Sequence, residues 1–155
     1  MKLIKLLYFV DREALIRWGR PITFDWYYSL PHGPILSFTL NLINEDPEPN
    51  GPTYWHNFIS ERRVHEVELL RDPPMDQLSD AEKALISEMF ERLGHMDQWE
   101  LRDLSHKLPE WRDPQGSRLS IEIGEILLGA KIPPDVAKEI CEALEAEDVA
   151  ARLLG

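Results

Sequence analysis

Along residues 2–18 apolar side chains return every three or four positions. Leu3, Leu6, Leu7, Val10, Ala14 and Trp18 share one side, while Arg12, Glu13 and Arg17 take the other. That period predicts an amphipathic helix. The pairs Leu3-Ile4 and Leu6-Leu7, with the run Tyr8-Phe9-Val10, widen its apolar face and place it centrally. Gly19 suits a C-cap and Pro21 stops propagation. Residues 22–30 are rich in aromatic and β-branched side chains, which favours a strand. Pro31 and Gly33-Pro34 end that strand and open a helix over 34–43, because proline is tolerated in a first turn.

Residues 45–52 hold three prolines and a glycine among acidic residues and read as a surface loop. Beyond it, Tyr54, His56 and Phe58 alternate with Trp55, Asn57 and Ile59, Glu61-Arg62 turns the chain, and residues 64–70 return. A hairpin is expected, although its turn lacks Asn-Gly chemistry. Arg62, Arg63, Glu66 and Glu68 suit its solvated edges. Ser79 and Glu82 form a capping box ahead of a helix that reaches Leu93, with Leu85, Ile86, Met89, Phe90 and Leu93 inward. Gly94 stops it. Asp97 caps a helix over 98–107, which Pro109 breaks, a short helix is expected over 120–128, and Pro133-Pro134 starts a last helix to residue 153. The pattern predicts one domain over 1–155, mainly α (α+β): a compact multi-helix domain with a small antiparallel β-sheet or hairpin.

Composition narrows the class. A chain of 155 residues, 43% hydrophobic, builds a single core and is too apolar to be disordered. No stretch approaches the roughly 18 consecutive apolar residues of a membrane span. Asp11 and Glu13 interrupt the first apolar run, unlike a signal peptide, and the single cysteine cannot form an internal disulfide. A cytoplasmic location follows as the expectation. The net charge of −11 argues against direct nucleic-acid binding, since phosphates would be repelled over most of the surface. Charge is uneven. Up to Arg20 five basic residues face two acidic ones, and from Leu119 onward eight acidic residues face three basic ones. An acidic surface suits a basic partner; it also simply aids solubility.

Candidate reaction chemistry is sparse. Five histidines (His32, His56, His65, His95 and His106) form no H-E-x-x-H motif, and Gly19, Gly33, Gly51 and Gly94 lie singly, outside any phosphate-binding pattern. No serine sits in a G-x-S-x-G context. Cys141 falls in step with Ala137, Ile140 and Leu144 and reads as a small core hydrophobe. No catalytic residue and no metal site is assigned.

Two constellations stand out. Asp11-Arg12-Glu13, with Arg17 and Arg20, either makes intradomain ion pairs that fix the first helix against the His32-Gly33-Pro34 turn or lines a groove for a partner. The second runs from Trp99 to His106 and on through Pro109-Glu110-Trp111-Arg112. Leu101, Leu104 and Leu108 make its stripe, and Asp103 and His106 lie three apart, close enough to pair. Trp99, Trp111 and Arg112 are interface anchors where exposed, although most of the five tryptophans are expected in the core.

These residues carry a resemblance. Lys5-Leu6-Leu7-Tyr8, Asp11-Arg12-Glu13, Gly19-Arg20-Pro21-Ile22-Thr23, Asp25, Tyr27, His32-Gly33-Pro34-Ile35 and the W-x-L-x-D-L-S-H helix with its Pro-x-Trp turn resemble the Panacea domain of SocA-type antitoxins. The likeness covers residues 2–42 and 78–111, roughly half the chain. It departs at Phe24, where the family usually has glycine, and at Leu36, where proline is common. The family usually has a further helix before Lys5-Leu6-Leu7-Tyr8, and here Met1 comes almost at once, so the expectation is that this helix is missing, either because the sequence starts late or because its place in the core is filled otherwise.

The resemblance implies an antitoxin of a bacterial or phage toxin–antitoxin pair, not an enzyme. It would neutralise a cognate protein toxin, a basic one if the acidic surface is complementary, by direct contact without a cofactor. Candidate contacts are Asp11, Arg12, Arg20, His32, Trp99, Asp103, His106, Trp111 and Arg112. A proteolytic adaptor that hands the toxin to a protease through the acidic C-terminal helix and Leu153-Leu154-Gly155 is the alternative. Less favoured are a metal-dependent hydrolase using His32, Asp11 or His106, and DNA-binding autoregulation.

Overall fold

A computed structural model describes residues 1–44 and 54–154; the loop expected over 45–52 lies outside the described residues. Among those residues the order is α1 (Lys2–Trp18), β1 (Tyr27–Leu30), β2 (Gly33–Leu36), α2 (Ser37–Asn44), a 3₁₀ turn (Tyr54–Asn57), α3 (Asp80–Leu93), α4 (Gln98–Ser105), β3 (Leu119–Ile121), α5 (Ile123–Gly129) and α6 (Pro134–Leu154). The architecture is mainly α with one small antiparallel sheet of order β2-β1-β3. Tyr27 pairs with Leu36 on one side and with Ile121 on the other.

α1 is the axis of the core and is buried along two faces. Ile4, Tyr8 and Leu15 pack with Tyr27, Ile35, Leu36, Ile121, Ile126, Leu127 and Ala137, on the side of the sheet, α5 and α6. Phe9, Val10 and Ala14 pack with Leu85, Met89, Leu93 and Leu101 of α3 and α4. This two-sided burial rotates the face away from the expected stripe. Leu3 and Trp18, predicted inward, are 42% and 45% exposed, because the buried faces of α1 run through Ile4, Lys5, Tyr8, Asp11 and Leu15 and turn these two side chains outward. Gly19 caps α1 in the left-handed conformation, its N–H donating to the Leu15 carbonyl.

Several boundaries differ from the sequence reading. The strand expected over 22–30 starts only at Tyr27, since residues 22–25 are folded into a turn around side-chain carboxylates. Gly33-Pro34-Ile35-Leu36 is a buried strand, not the start of a helix, and α2 begins at Ser37. A fully apolar run of four has no period to tell strand from helix. The first strand of the predicted 54–70 hairpin is a 3₁₀ turn, and only the Ile59–Leu69 and Arg63–Glu66 bridges remain of it. Strand β3 occupies 119–121, where a helix was expected from Ser120; the Glu125 carboxylate then accepts the Glu122 N–H at 2.8 Å at the start of α5. The predicted capping box Ser79–Glu82 is present, and Asp97, predicted as a cap, closes a box with Glu100. Phe90, predicted inward, is 64% exposed, and Trp18, Trp26 and Trp99 are exposed while Trp55 and Trp111 are half-buried, so the tryptophans are not core residues.

Candidate functional site

Polar side chains on α1 face inward as well as apolar ones. Asp11 is fully buried, and one carboxylate oxygen accepts the backbone N–H groups of Ile22 at 2.7 Å and Thr23 at 2.9 Å. Its other oxygen accepts the Thr23 hydroxyl at 2.6 Å and the Tyr27 hydroxyl at 2.9 Å. Four donors on one buried carboxylate tie the chain after Pro21 back onto the helix. Burial and the adjacent Asp11 carboxylate raise the Tyr27 phenol far above its ordinary pKa, so it stays a donor.

One turn away the second constellation closes on the first. Arg12 meets Glu110 through Nε at 2.6 Å and Nη2 at 3.3 Å, and the Tyr8 hydroxyl donates to the same carboxylate at 3.0 Å. Trp111 donates its indole N–H to the Leu30 carbonyl at 3.1 Å, and the Arg112 N–H reaches Ser29 Oγ at 3.3 Å. Behind them the His106 ring stacks on Trp111 with centroids 3.9 Å apart. His106 does not pair with Asp103 as its spacing allowed; Asp103 accepts Arg102 at 2.6 Å. Burial, then the Arg102 charge, lowers the His106 pKa, and its Nε2 is buried without a hydrogen-bond partner among the described residues.

The turn between β1 and β2 fits under this cluster only because residue 33 is glycine. Gly33 has φ of 100°, and a Cβ there would stand 2.3 Å from Ser105 Oγ and 2.9 Å from Lys5 Nζ. Lys5 itself is 1% exposed and donates to the Pro34 carbonyl at 2.6 Å.

Asp11, Arg12, His106 and Trp111, four of the nine candidate contacts, are thus engaged inside the molecule. The other five are exposed. His32 and Trp99 meet edge-on with centroids 6.3 Å apart, Arg102 lies over the Trp99 ring at 5.0 Å, and Asp103 holds Arg102. Arg20 sits elsewhere, over Phe24 and near Glu147, and Arg112 pairs with Glu125 at 3.0 Å. Asp25 was read without a role, yet it accepts the N–H groups of Trp26, Phe38 and Thr39, so it caps α2 and gathers Trp26 and Phe38 around one turn. Phe24 at 51%, Trp26 at 66% and Phe38 at 46% exposure stand on that turn. Phe24 has φ of 53°, in the left-handed region where the resembling family keeps glycine. Their aromatic character was the available signal, but Phe24 and Trp26 were absorbed into the strand predicted over 22–30 and Phe38 into the helix predicted over 34–43.

Among the described residues, no group of three or more His, Cys, Asp or Glu side chains is placed to hold a metal ion, and no helix is long and apolar enough to cross a membrane. Burial raises the Cys141 thiol pKa, and the residue packs beside the core. What the surface offers chemically is recognition: aromatic faces, a guanidinium stacked on indole, and polar groups around them.

The comparisons address the same segments. The family model described as antitoxin SocA-like, Panacea domain, matches residues 3–112. No curated protein and no solved structure matches the chain. The match runs from the first turn of α1 to Arg112, just past the Glu110 and Trp111 contacts that close the second constellation on the first. It covers more than two thirds of the sequence, and the chain belongs to the SocA-like antitoxin family of Panacea domains.

Proposed function

We propose that this protein is an antitoxin that neutralises a cognate protein toxin by binding it directly, in the cytoplasm and without a reaction of its own. The observation that carries this reading, beside the family, is the display of large aromatic side chains. Trp18, Phe24, Trp26, Phe38 and Trp99 are all 45% or more exposed, although a monomer gains nothing from leaving them in water. Tryptophan and arginine are the usual anchors of protein interfaces, and Trp99 with Arg102 and His32 presents both. The toxin is the ligand, and its own active surface is what the complex would cover.

A second reading has one observation in its favour. Leu153 and Leu154 are 82% and 90% exposed at the end of α6, as an adaptor tail for a protease would be. Co-expression with the product of the adjacent gene separates the two. Direct neutralisation restores growth in cells lacking the housekeeping proteases; delivery restores it only when those proteases are present. Failure to restore growth in either strain would sink both.

A further inference from the structure

Half of α2 is apolar, yet the helix buries none of its residues. Phe38, Leu40, Leu42 and Ile43 are four of its eight positions. A helix of that composition ordinarily seals one face against a neighbour. Leu40 and Ile43, half-buried against the core, also form one wall of a groove of about 830 Å³, with Leu3 and Ile4 of α1 and Leu30 of β1 on the other walls. Leu3, His32, Asn44, Arg62 and Gln98 line it and are exposed, so the groove is open along its length. An open trough does not enclose the roughly 70–90% of a small ligand's surface that such ligands need, whereas it accepts a segment of another chain.

Charge distinguishes what that segment carries. The net charge of the chain is −11. Among the described residues the groove nevertheless draws its lining charges from Lys2, Lys5 and Arg62 against Glu66, with His32 and His65 beside them. Lys2 donates to the Gly94 carbonyl and Arg62 to Asn44 Oδ1, so both are held at the rim. Lys5 lies in the floor, where its ammonium has the Pro34 carbonyl as acceptor and no carboxylate within ion-pair reach among the described residues. Burying a cation without a counter-ion costs stability, and negative charge brought into the groove offsets that cost. Burial lowers the Lys5 pKa to about 7.

We propose that this groove is the toxin-docking site and that it receives an apolar segment flanked by carboxylates. The inference rests on the direct-binding reading above. It reverses the expectation of a basic partner at the point of contact: whatever the toxin's overall charge, the inserted element is acidic.

Leu3 tests this with two substitutions at one exposed position. Leu3→Glu adds a carboxylate to the groove wall, and an acid in the first turn of α1 suits the helix dipole, so the fold tolerates it. Leu3→Arg removes the same apolar surface but adds a cation. Both purified variants are checked for an unchanged melting transition and titrated calorimetrically with the adjacent gene's product. The proposal expects Leu3→Glu to weaken binding by more than about tenfold through like-charge repulsion, while Leu3→Arg binds as the unmodified protein or tighter. Unchanged binding in Leu3→Glu, equal losses in both variants, or the larger loss in Leu3→Arg overturns it while leaving the antitoxin reading intact. If the unmodified protein neither binds nor rescues growth, both readings fall together.

Discussion

Lys5 brings an ammonium group into the floor of the groove, with the Pro34 carbonyl as acceptor and burial holding its pKa near 7, far below an ordinary lysine. Between that value and the ordinary one near 10.4, the unfolded chain binds a proton that the folded chain does not. Stability from this group therefore rises as pH increases above 7, and the full cost of the buried charge is present below 7. The slope is at most about 1.4 kcal/mol per pH unit for one proton. Urea unfolding at pH 6.5, 7.5 and 8.5 is expected to show the protein gaining on its Lys5→Met variant with each step. Parallel curves would show that the ammonium is compensated after all. Gly33 beside it is equally constrained, since its φ of 100° is one that L side chains rarely adopt and a Cβ there would collide with Ser105 Oγ. Gly33→Ala is expected to cost about 2–4 kcal/mol, read as a lower urea midpoint.

Between elements, the stability of the site depends on carboxylates that reach across the sequence. Asp11 binds the 22–27 turn, Asp25 starts α2, and Glu110 returns to Arg12. Asp11→Ala leaves the Ile22 and Thr23 N–H groups and two hydroxyls without their acceptor, and is expected to cost about 3 kcal/mol or more. Asp11→Asn keeps one oxygen and costs less; equal losses in chemical denaturation would contradict this assignment of donors. α1, α3 and the capped start of α4 were readable from period and caps, because those signals are local. β2 and β3 were not, since a four-residue apolar run and a three-residue edge strand carry no period, and their partner in both cases is β1. The same reasoning explains the site. Asp11 and Arg12 were recognised as a charged cluster with an intradomain alternative, but nothing local names Glu110 as the partner of Arg12. Lys5 was visible only as a motif letter, and its burial is set by Gly33 and Pro34 folding over it.

Among the described residues, the groove with its lysines and the acidic α6 lie toward opposite ends of α1. The groove opens beside its first turn, while α6 packs at its last, where Ile140 faces Gly19 and Glu147 reaches Arg20. Seventeen helical residues put about 25 Å between the two ends of α1. The acidic C-terminal residues noted in the sequence thus belong to one end, and the cationic groove to the other. Such a separation orients an approaching partner more than it strengthens the final contact, so the association rate is what salt would slow most. The exposed aromatics around Asp25 and at Trp99 then supply the apolar area of a lasting complex. Calorimetric titration of the purified protein with the purified product of its adjacent gene tests this most directly. The account predicts saturable binding with a dissociation constant at or below about 1 μM, strong enough to hold a toxin at cellular concentrations. Absence of binding, in a preparation that still protects cells only when their proteases are intact, would contradict it.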